Sequence, residues 1–424
     1  MGHSASGAAT LPLSTMPSST TRPHARARAR LIALSLALVA SGCAAGAGSA
    51  VDEDAISGIP TTEALNQGSS GNCWLYSGNA FVESISGKTD GHYSVAYLSY
   101  WDFYERILEN PDATKMKWRG GNWDRYRRLV SNYGLMSSQS FVPDDMTFTV
   151  RAFLRLNATL TTGALNTASA RRDPARVRLA LNAAFGLPAP MARALDLLFG
   201  PDAAVNLDMG ARAEAPILDP RSLEVVVPTA DQGMSKRQLQ DVLGSLNLAG
   251  RRSGKYMWET VSFPGSGDVP PSAQEVRAYY TRVQRVLNTG TPVQLSWFVD
   301  PSRQNAQKQF VGTTVGPVAK IGSHAVLITD YQIDDVPKFG TLVAGQLADE
   351  AQKEASLDPG AKLVFLRVKN SWGDQKGNPI GGYNDLYADY LSTPLNFCSA
   401  DDPGAAGCGK FPSMLRSAVL PPGF

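Results

Sequence analysis

The chain of 424 residues predicts an α+β fold. Three observations carry that expectation. Apolar residues at helical spacing fill residues 73–133. An Ala/Leu/Arg-rich stretch over 145–271 is also helical in pattern, though broken by prolines. Runs rich in β-branched residues then gather after residue 291. With 43% hydrophobic and 18% charged residues, the chain is ordinary globular material for one large or two small domains. It contains no internal repeat.

The N-terminus reads as a targeting segment. An Arg/Ala run to Arg30 precedes the apolar run Leu31–Ala40 and then Ser41-Gly42-Cys43, the layout of an export signal. The apolar run is too short to stay in a bilayer as a spanning helix. Val39-Ala-Ser-Gly-Cys43 resembles a bacterial lipobox, which implies cleavage before Cys43 and its diacylation. Ala40 stands where leucine is more usual, so a plain export signal is the alternative. The expected address is therefore outside the cytoplasm, either membrane-anchored through Cys43 or periplasmic or secreted. The formal charge of +2 falls close to neutrality once Arg22, Arg26, Arg28 and Arg30 of this segment are set aside. Such a balance gives no electrostatic case for nucleic acid.

Residues 44–60 are small and polar and read as a tether. Trp74–Ile85 places Leu75, Ala80, Phe81, Val82 and Ile85 on one helix face. Lys88–His92 is a turn, and Val95–Leu108 reads as a second helix. Gly120-Gly121 marks a tight backbone passage. A third helix over Trp123–Tyr133 is closed by Gly134. Within 145–271 the better helix candidates are Arg176–Phe185, Met191–Phe199 and Ser235–Leu246, the last opening on a Ser235/Gln238 capping box. A second box, Ser272 to Glu275, starts a helix that ends near Asn288-Thr-Gly290. Pro292–Val299, Ala325–Tyr331, Lys362–Val368 and Gly381–Asp389 read as strands. Residues 396–424 read as a Pro/Gly-rich tail.

The four cysteines divide by context. Cys398 and Cys408 flank a Gly/Pro-rich loop and are close enough to form a disulfide in an oxidising compartment, two free thiols being the alternative. No His/Cys group has metal-ligand spacing, so neither a metal nor another cofactor is expected. Cys73 opens a helix, where backbone N–H groups and the helix dipole favour a thiolate. A buried structural cysteine is the competing account. A thiol nucleophile needs a base, and the base needs an orienting partner. His3 and His24 fall in the targeting segment, which leaves His92, in a polar turn and read as a solvated surface residue, and His324, at the mouth of an apolar strand. Further on, Asn370 stands between a strand and Ser371-Trp372-Gly373. Its side-chain oxygen can accept an imidazole N–H, and Trp372 can shield that bond from water.

Gln67…Cys73-Trp74, Gly120-Gly121, His324-Ala325 and Asn370-Ser371-Trp372-Gly373 resemble the papain family of cysteine peptidases, in that family's order. The bleomycin-hydrolase-like branch is the nearest match. There the nucleophile segment likewise reads Gln-x-x-Ser-Gly-x-Cys-Trp, and Trp101-Asp102 and Gly120-Gly-Asn-Trp123 are also similar. The resemblance covers about 62–144 and 276–391. His324 follows Cys73 by roughly 250 residues, against about 130–150 in papain-like enzymes, and a helical insertion accounts for the surplus.

This resemblance implies a helical domain (61–144) bearing the nucleophile, the insertion (145–271) and a strand-rich domain (272–395) bearing His and Asn. It makes Cys73 the nucleophile, His324 the base and then the acid, and Asn370 its orienting residue. Gln67 and the Cys73 N–H would form the oxyanion hole, and Gly120-Gly121 would flank a peptide substrate. Trp74 and Trp372 would support the site. Aminopeptidase action is a further implication. Two rivals stand beside the peptidase: a catalytically silent peptide-binding relative, and a thiol-dependent acyltransferase or transglutaminase-like enzyme.

Overall fold

The computed structural model describes residues 59–115, 120–143, 145–200, 217–231, 233–246, 251–266, 269–312, 322–398 and 408–424; side chains at 145–148, 396–398 and 408–409 are not among those described. The targeting segment and Cys43 lie outside these residues.

The chain folds as mixed helix and sheet. Helix α1 (Cys73–Ile85) buries nearly its whole length. In α2 (Val95–Glu109) the Ser94 hydroxyl caps the Tyr97 N–H at 2.9 Å. In α3 (Trp123–Tyr133) Asn122 caps Arg125, and Gly134 ends the helix at φ 73°. Aromatic rings fasten α2 to α3, with Trp101 stacked on Tyr133 at 4.1 Å between centroids. The short strand β1 (Leu135–Met136) and the single-turn α4 (Ser138–Phe141) follow.

The next stretch begins as helices: α5 (Asp145–Thr161), α6 (Ala168–Arg171), α7 (Pro174–Phe185) and α8 (Ala189–Phe199). Helix α7 is punctuated as its sequence demands, with Asp173 at the N-cap, Pro174 in the first turn and left-handed Gly186 at the end. The stretch is not helical throughout. Strand β2 (Ile217–Leu218) pairs back onto β1, and β3 (Glu224–Pro228) pairs with β4 (Met234–Gln238). Much of the expected Ser235–Leu246 helix is therefore a strand, and the helix shrinks to α9 (Leu239–Leu243). Val225 and Val227 bury one face of the β3–β4 ribbon, while only Leu239, Val242 and Leu243 give α9 something to bury. Two short strands, β5 (Ser245–Leu246) and β6 (Arg252–Ser253), pair with one another, and β7 (Glu259–Ser262) leaves this region to join the main sheet.

Helix α10 (Ala273–Leu287) carries the expected capping box, with Ser272 and Glu275 bonding each other's backbone N–H. The strands β8 (Val293–Val299), β9 (Gly322–Val336), β10 (Gly340–Leu342), β11 (Lys362–Lys369) and β12 (Tyr383–Tyr387) come next, with short helices α11 (Glu350–Ala355) and α12 (Ala388–Leu391) beside them. The hairpin β13 (Leu395–Cys398)–β14 (Cys408–Phe411) sets the backbones of Cys398 and Cys408 directly opposite one another; the sulfur atoms are outside the described side chains. The last strand, β15 (Leu415–Leu420), inserts between β8 and β7.

The main sheet is antiparallel in the order β12-β11-β9-β8-β15-β7, with β10 added on β9. Strand β8 buries six of its seven residues, the pattern of a strand covered on both faces. The expected Pro/Gly-rich tail is thus an interior strand, with Leu415, Ala418, Val419 and Leu420 buried. No described helix is long and apolar enough to cross a membrane.

Because β15 is interior, removing residues 413–424 should abolish cooperative folding, and Leu420→Ala alone should cost about 2–5 kcal/mol. Thermal and urea melts check this; a shortened chain that melts like the parent would return the segment to a dispensable tail.

Candidate functional site

Cys73 is the first residue of α1 and is buried. The preceding Asn72 does not cap the helix with its side chain, which donates instead to Ser99 Oγ of α2 at 2.9 Å. The Leu75 N–H bonds the Asn72 carbonyl at 2.8 Å, which leaves the Cys73 and Trp74 N–H groups without a backbone partner among the described residues. The backbone N–H groups of Ala325, Trp74 and Cys73 favour the thiolate. Burial nevertheless dominates and pushes the thiol from its ordinary 9.0 up to about 11.

Ala325 places β9 against the thiol, and its chain neighbour is His324. This imidazole is also buried, and burial drives it from 6.5 down to about 4, opposed by its bond to Asn370. The His324 Nε2–Asn370 Oδ1 separation is 2.7 Å. Trp372 stacks on the imidazole at 4.7 Å and 24°, and Trp297, its cross-strand partner on β8, meets it edge-on at 6.2 Å.

Two backbone groups settle which way the amides face. The Ser371 N–H donates to Asn370 Oδ1 at 2.7 Å, so that atom is an acceptor. The Lys308 carbonyl accepts from Asn384 Nδ2 at 2.6 Å, which turns Asn384 Oδ1 toward Asn370 Nδ2 at 2.8 Å. Asn370 Oδ1 can then only accept from His324, so neutral His324 carries its proton on Nε2. Nδ1 is left as the basic nitrogen.

Gln67 reaches the same place through Ser371. Its N–H donates to the Ser371 carbonyl at 2.7 Å, its Oε1 accepts from Ser371 Oγ, and its Nε2 donates to the Ser70 carbonyl. The side chain thus braces its own loop, while the second Nε2 hydrogen has no partner among the described residues. The two glycines differ. A Cβ at Gly121 would overlap the Trp74 indole, whereas Gly120 faces open space.

Gln67, Cys73, His324, Asn370 and Trp372 are therefore gathered in one region, with Trp74 and Gly121 beside it. One expected contact is missing: no hydrogen bond joins Cys73 to His324 among the described residues. No group of described His, Cys, Asp or Glu residues could hold a metal ion.

His92 is not the solvated residue its turn implies. Its ring is half-buried against Glu83, with Nδ1–Oε2 at 3.3 Å. Glu83 also takes the Tyr93 N–H at 2.8 Å and the Thr62 hydroxyl at 2.7 Å, and that hydroxyl accepts from buried Lys369 at 2.7 Å. Burial alone would raise the Glu83 carboxyl; His92, Thr62 and Lys369 together hold it below its ordinary value. Sequence reasoning missed this cluster and Asn384. The available signal was polar residues inside apolar strands, Lys369 at the end of β11 and Asn384 within β12.

Replacing Lys369 by Met removes a cation that favours the Glu83 carboxylate and the buried donor to Thr62, and should cost about 1–3 kcal/mol in urea titrations. The folded-state Glu83 carboxyl sits below its unfolded value near 4.5, so its contribution is present above that pH and lost on acidification. Glu83→Gln should accordingly flatten the acid limb of a stability–pH curve. An unchanged acid limb would remove Glu83 from the account.

No family model matches the chain, and no curated protein matches it. Among solved structures, the chain is similar to PepW from Lactobacillus rhamnosis HN001, at 15% identity and a TM-score of 0.39, over 85% of this chain and 80% of that one.

Proposed function

We propose that this chain is a cysteine peptidase of papain-like fold, using Cys73, His324, Asn370 and Gln67. The observation that carries the reading is the His324 Nε2–Asn370 Oδ1 bond beneath Trp372, in the residue next to Ala325, whose N–H favours the Cys73 thiolate. That arrangement fixes the tautomer and leaves a basic Nδ1 for the proton of the nucleophile.

Both groups are neutral at rest, so the reaction opens with proton transfer. The Cys73 sulfur bonds to the peptide carbonyl carbon as its proton moves to His324 Nδ1. The carbonyl oxygen becomes an oxyanion that takes the Cys73 N–H and the free Nε2 hydrogen of Gln67. His324 returns the proton to the leaving amine as the C–N bond breaks. Water then attacks the thioester, giving its proton to His324, and the thiol is regenerated. Aminopeptidase action is one form of this chemistry.

The buried, protonated thiol without a hydrogen bond to His324 also suits the second reading, a silent relative that binds peptides. Turnover decides between them. Cys73→Ala and His324→Ala should each lower hydrolysis of a fluorogenic peptide library by about a thousandfold or more. His92→Ala should lower the melting temperature through Glu83 while leaving kcat within a few-fold. Equal losses in both histidine variants would sink the assignment of the base.

The reading includes export by residues 1–43 and a lipid on Cys43. Cys43→Ser should then move the protein from the detergent phase to the aqueous phase with activity retained. A wild-type chain already in the aqueous phase would favour the plain export signal.

A further inference from the structure

Beside the candidate nucleophile lies a cleft of about 300 Å³. Trp74 and Gly121 line it, as do Ser323 and Ala325, the two chain neighbours of His324, together with Gln294 and Arg416. Arg416 comes from β15, the strand that the sequence presents as a tail. Its Nη1 donates to Ser323 Oγ at 3.3 Å, and its guanidinium lies over the rings of Phe298 at 4.9 Å and Phe411 at 5.7 Å. Two rings and a hydroxyl hold the group in place, but none of them neutralises its charge.

Arg416 differs in this from four arginines nearby. In the wider opening around Gly120 and Gly121, Arg106 and Arg125 are paired with Asp102, Arg127 with Asp124, and Arg128 with Glu105. Asp124, the acid that lines the cleft, is thereby committed. No carboxylate among the described residues lies within ion-pair distance of Arg416. Arg252, in the same opening, is similar. It bonds Ser131 Oγ at 3.0 Å and the Gly244 carbonyl at 2.6 Å, while its Nη2 is buried without a partner. Uncompensated positive charge therefore stands in the opening on which the cleft borders.

We propose that the cleft selects acidic peptides, with Arg416 pairing to the carboxylate of an Asp or Glu close to the scissile bond. The proposal rests on the peptidase reading above and names its substrate class. The planar fork of a guanidinium matches a carboxylate in two parallel hydrogen bonds. Stacking on Phe298 and Phe411 pre-orients that fork, so less side-chain freedom is lost when a substrate arrives. A lysine in the same position would set two cations together, and an alanine would leave Arg416 unpaired.

The test uses the full chain and one peptide series that differs only in having Glu, Ala or Lys at each position flanking the scissile bond. Turnover is measured on wild type and Arg416→Glu, and binding on Cys73→Ala with and without Arg416→Glu. At one position the wild type should favour Glu over Ala by about ten- to a hundredfold in kcat/KM, and the preference should shrink at high salt. Arg416→Glu should turn the order toward Lys at that position. Because Arg416 is exposed, the variant is expected to fold, and Arg416→Gln, which should simply lose the preference, repeats the test with a neutral side chain. Hydrolysis with no acidic preference, or a preference that survives Arg416→Glu, overturns this inference and leaves the peptidase standing. Acid-selective binding that Arg416→Glu abolishes, without hydrolysis, supports the recognition site and overturns the peptidase. Neither binding nor hydrolysis overturns both.

Discussion

The site depends on where Asn370 points its side-chain oxygen. That atom accepts from the Ser371 N–H and from His324, and its orientation is fixed by backbone groups that cannot switch between donor and acceptor. With the amide reversed, Nδ2 would face two donors and the imidazole would lose its partner in a buried setting, where an unmade bond costs about 1–3 kcal/mol. The same turn holds the N-terminal loop. Gln67 bonds the Ser371 carbonyl, Asn66 bridges to Trp372, and the Gly373 N–H reaches the Leu65 carbonyl. Four residues after β11 thus fix both the imidazole and the loop that leads to the thiol.

The elements read correctly from sequence are those whose signal is local. Helices α3 and α10 have caps at both ends and an amphipathic period between, and β8, β9 and β11 are long apolar runs that nothing else explains. What the sequence hid is pairing at a distance. Strand β15 looks like a tail because its partners, Ser296 and Ser262, lie more than a hundred residues earlier. Ser235–Gln238 carries a helix-start pattern, but pairing with Val225 and Val227 overrides it. His92 looked solvated because its turn is polar, and no local feature shows that Glu83 lies against it. At the site, the Cys, His, Asn and Gln were legible as chemistry, whereas Asn384 and Lys369 act only through residues that the fold brings to them.

The late strand has consequences beyond stability. Strand β15 joins β8 to β7, so the sheet that carries His324 is completed only when the end of the chain docks. It also delivers Arg416 to the cleft beside Ser323. Pairings at such sequence separation form late and slowly, because loop closure precedes any gain from contact. Completion of the cleft therefore waits on the docking of β15.

The thiol shows which local effect wins. A helix N-terminus stabilises a charge by about 0.3–1 kcal/mol at the surface, and up to about 2 kcal/mol when partly buried. A thiol held near 11 rather than 9.0 corresponds to about 3 kcal/mol against the thiolate, even with three nearby backbone N–H groups favouring it. Position at the start of α1 is thus insufficient to ionise Cys73. His324, the proton acceptor of the proposed reaction, is itself disfavoured as a cation by its burial. Each ion is costly alone in a buried setting; formed together, each would be the counter-ion that the other lacks. On the peptidase reading proposed above, the fold prepares the pair and leaves its ionisation to the arrival of a substrate carbonyl.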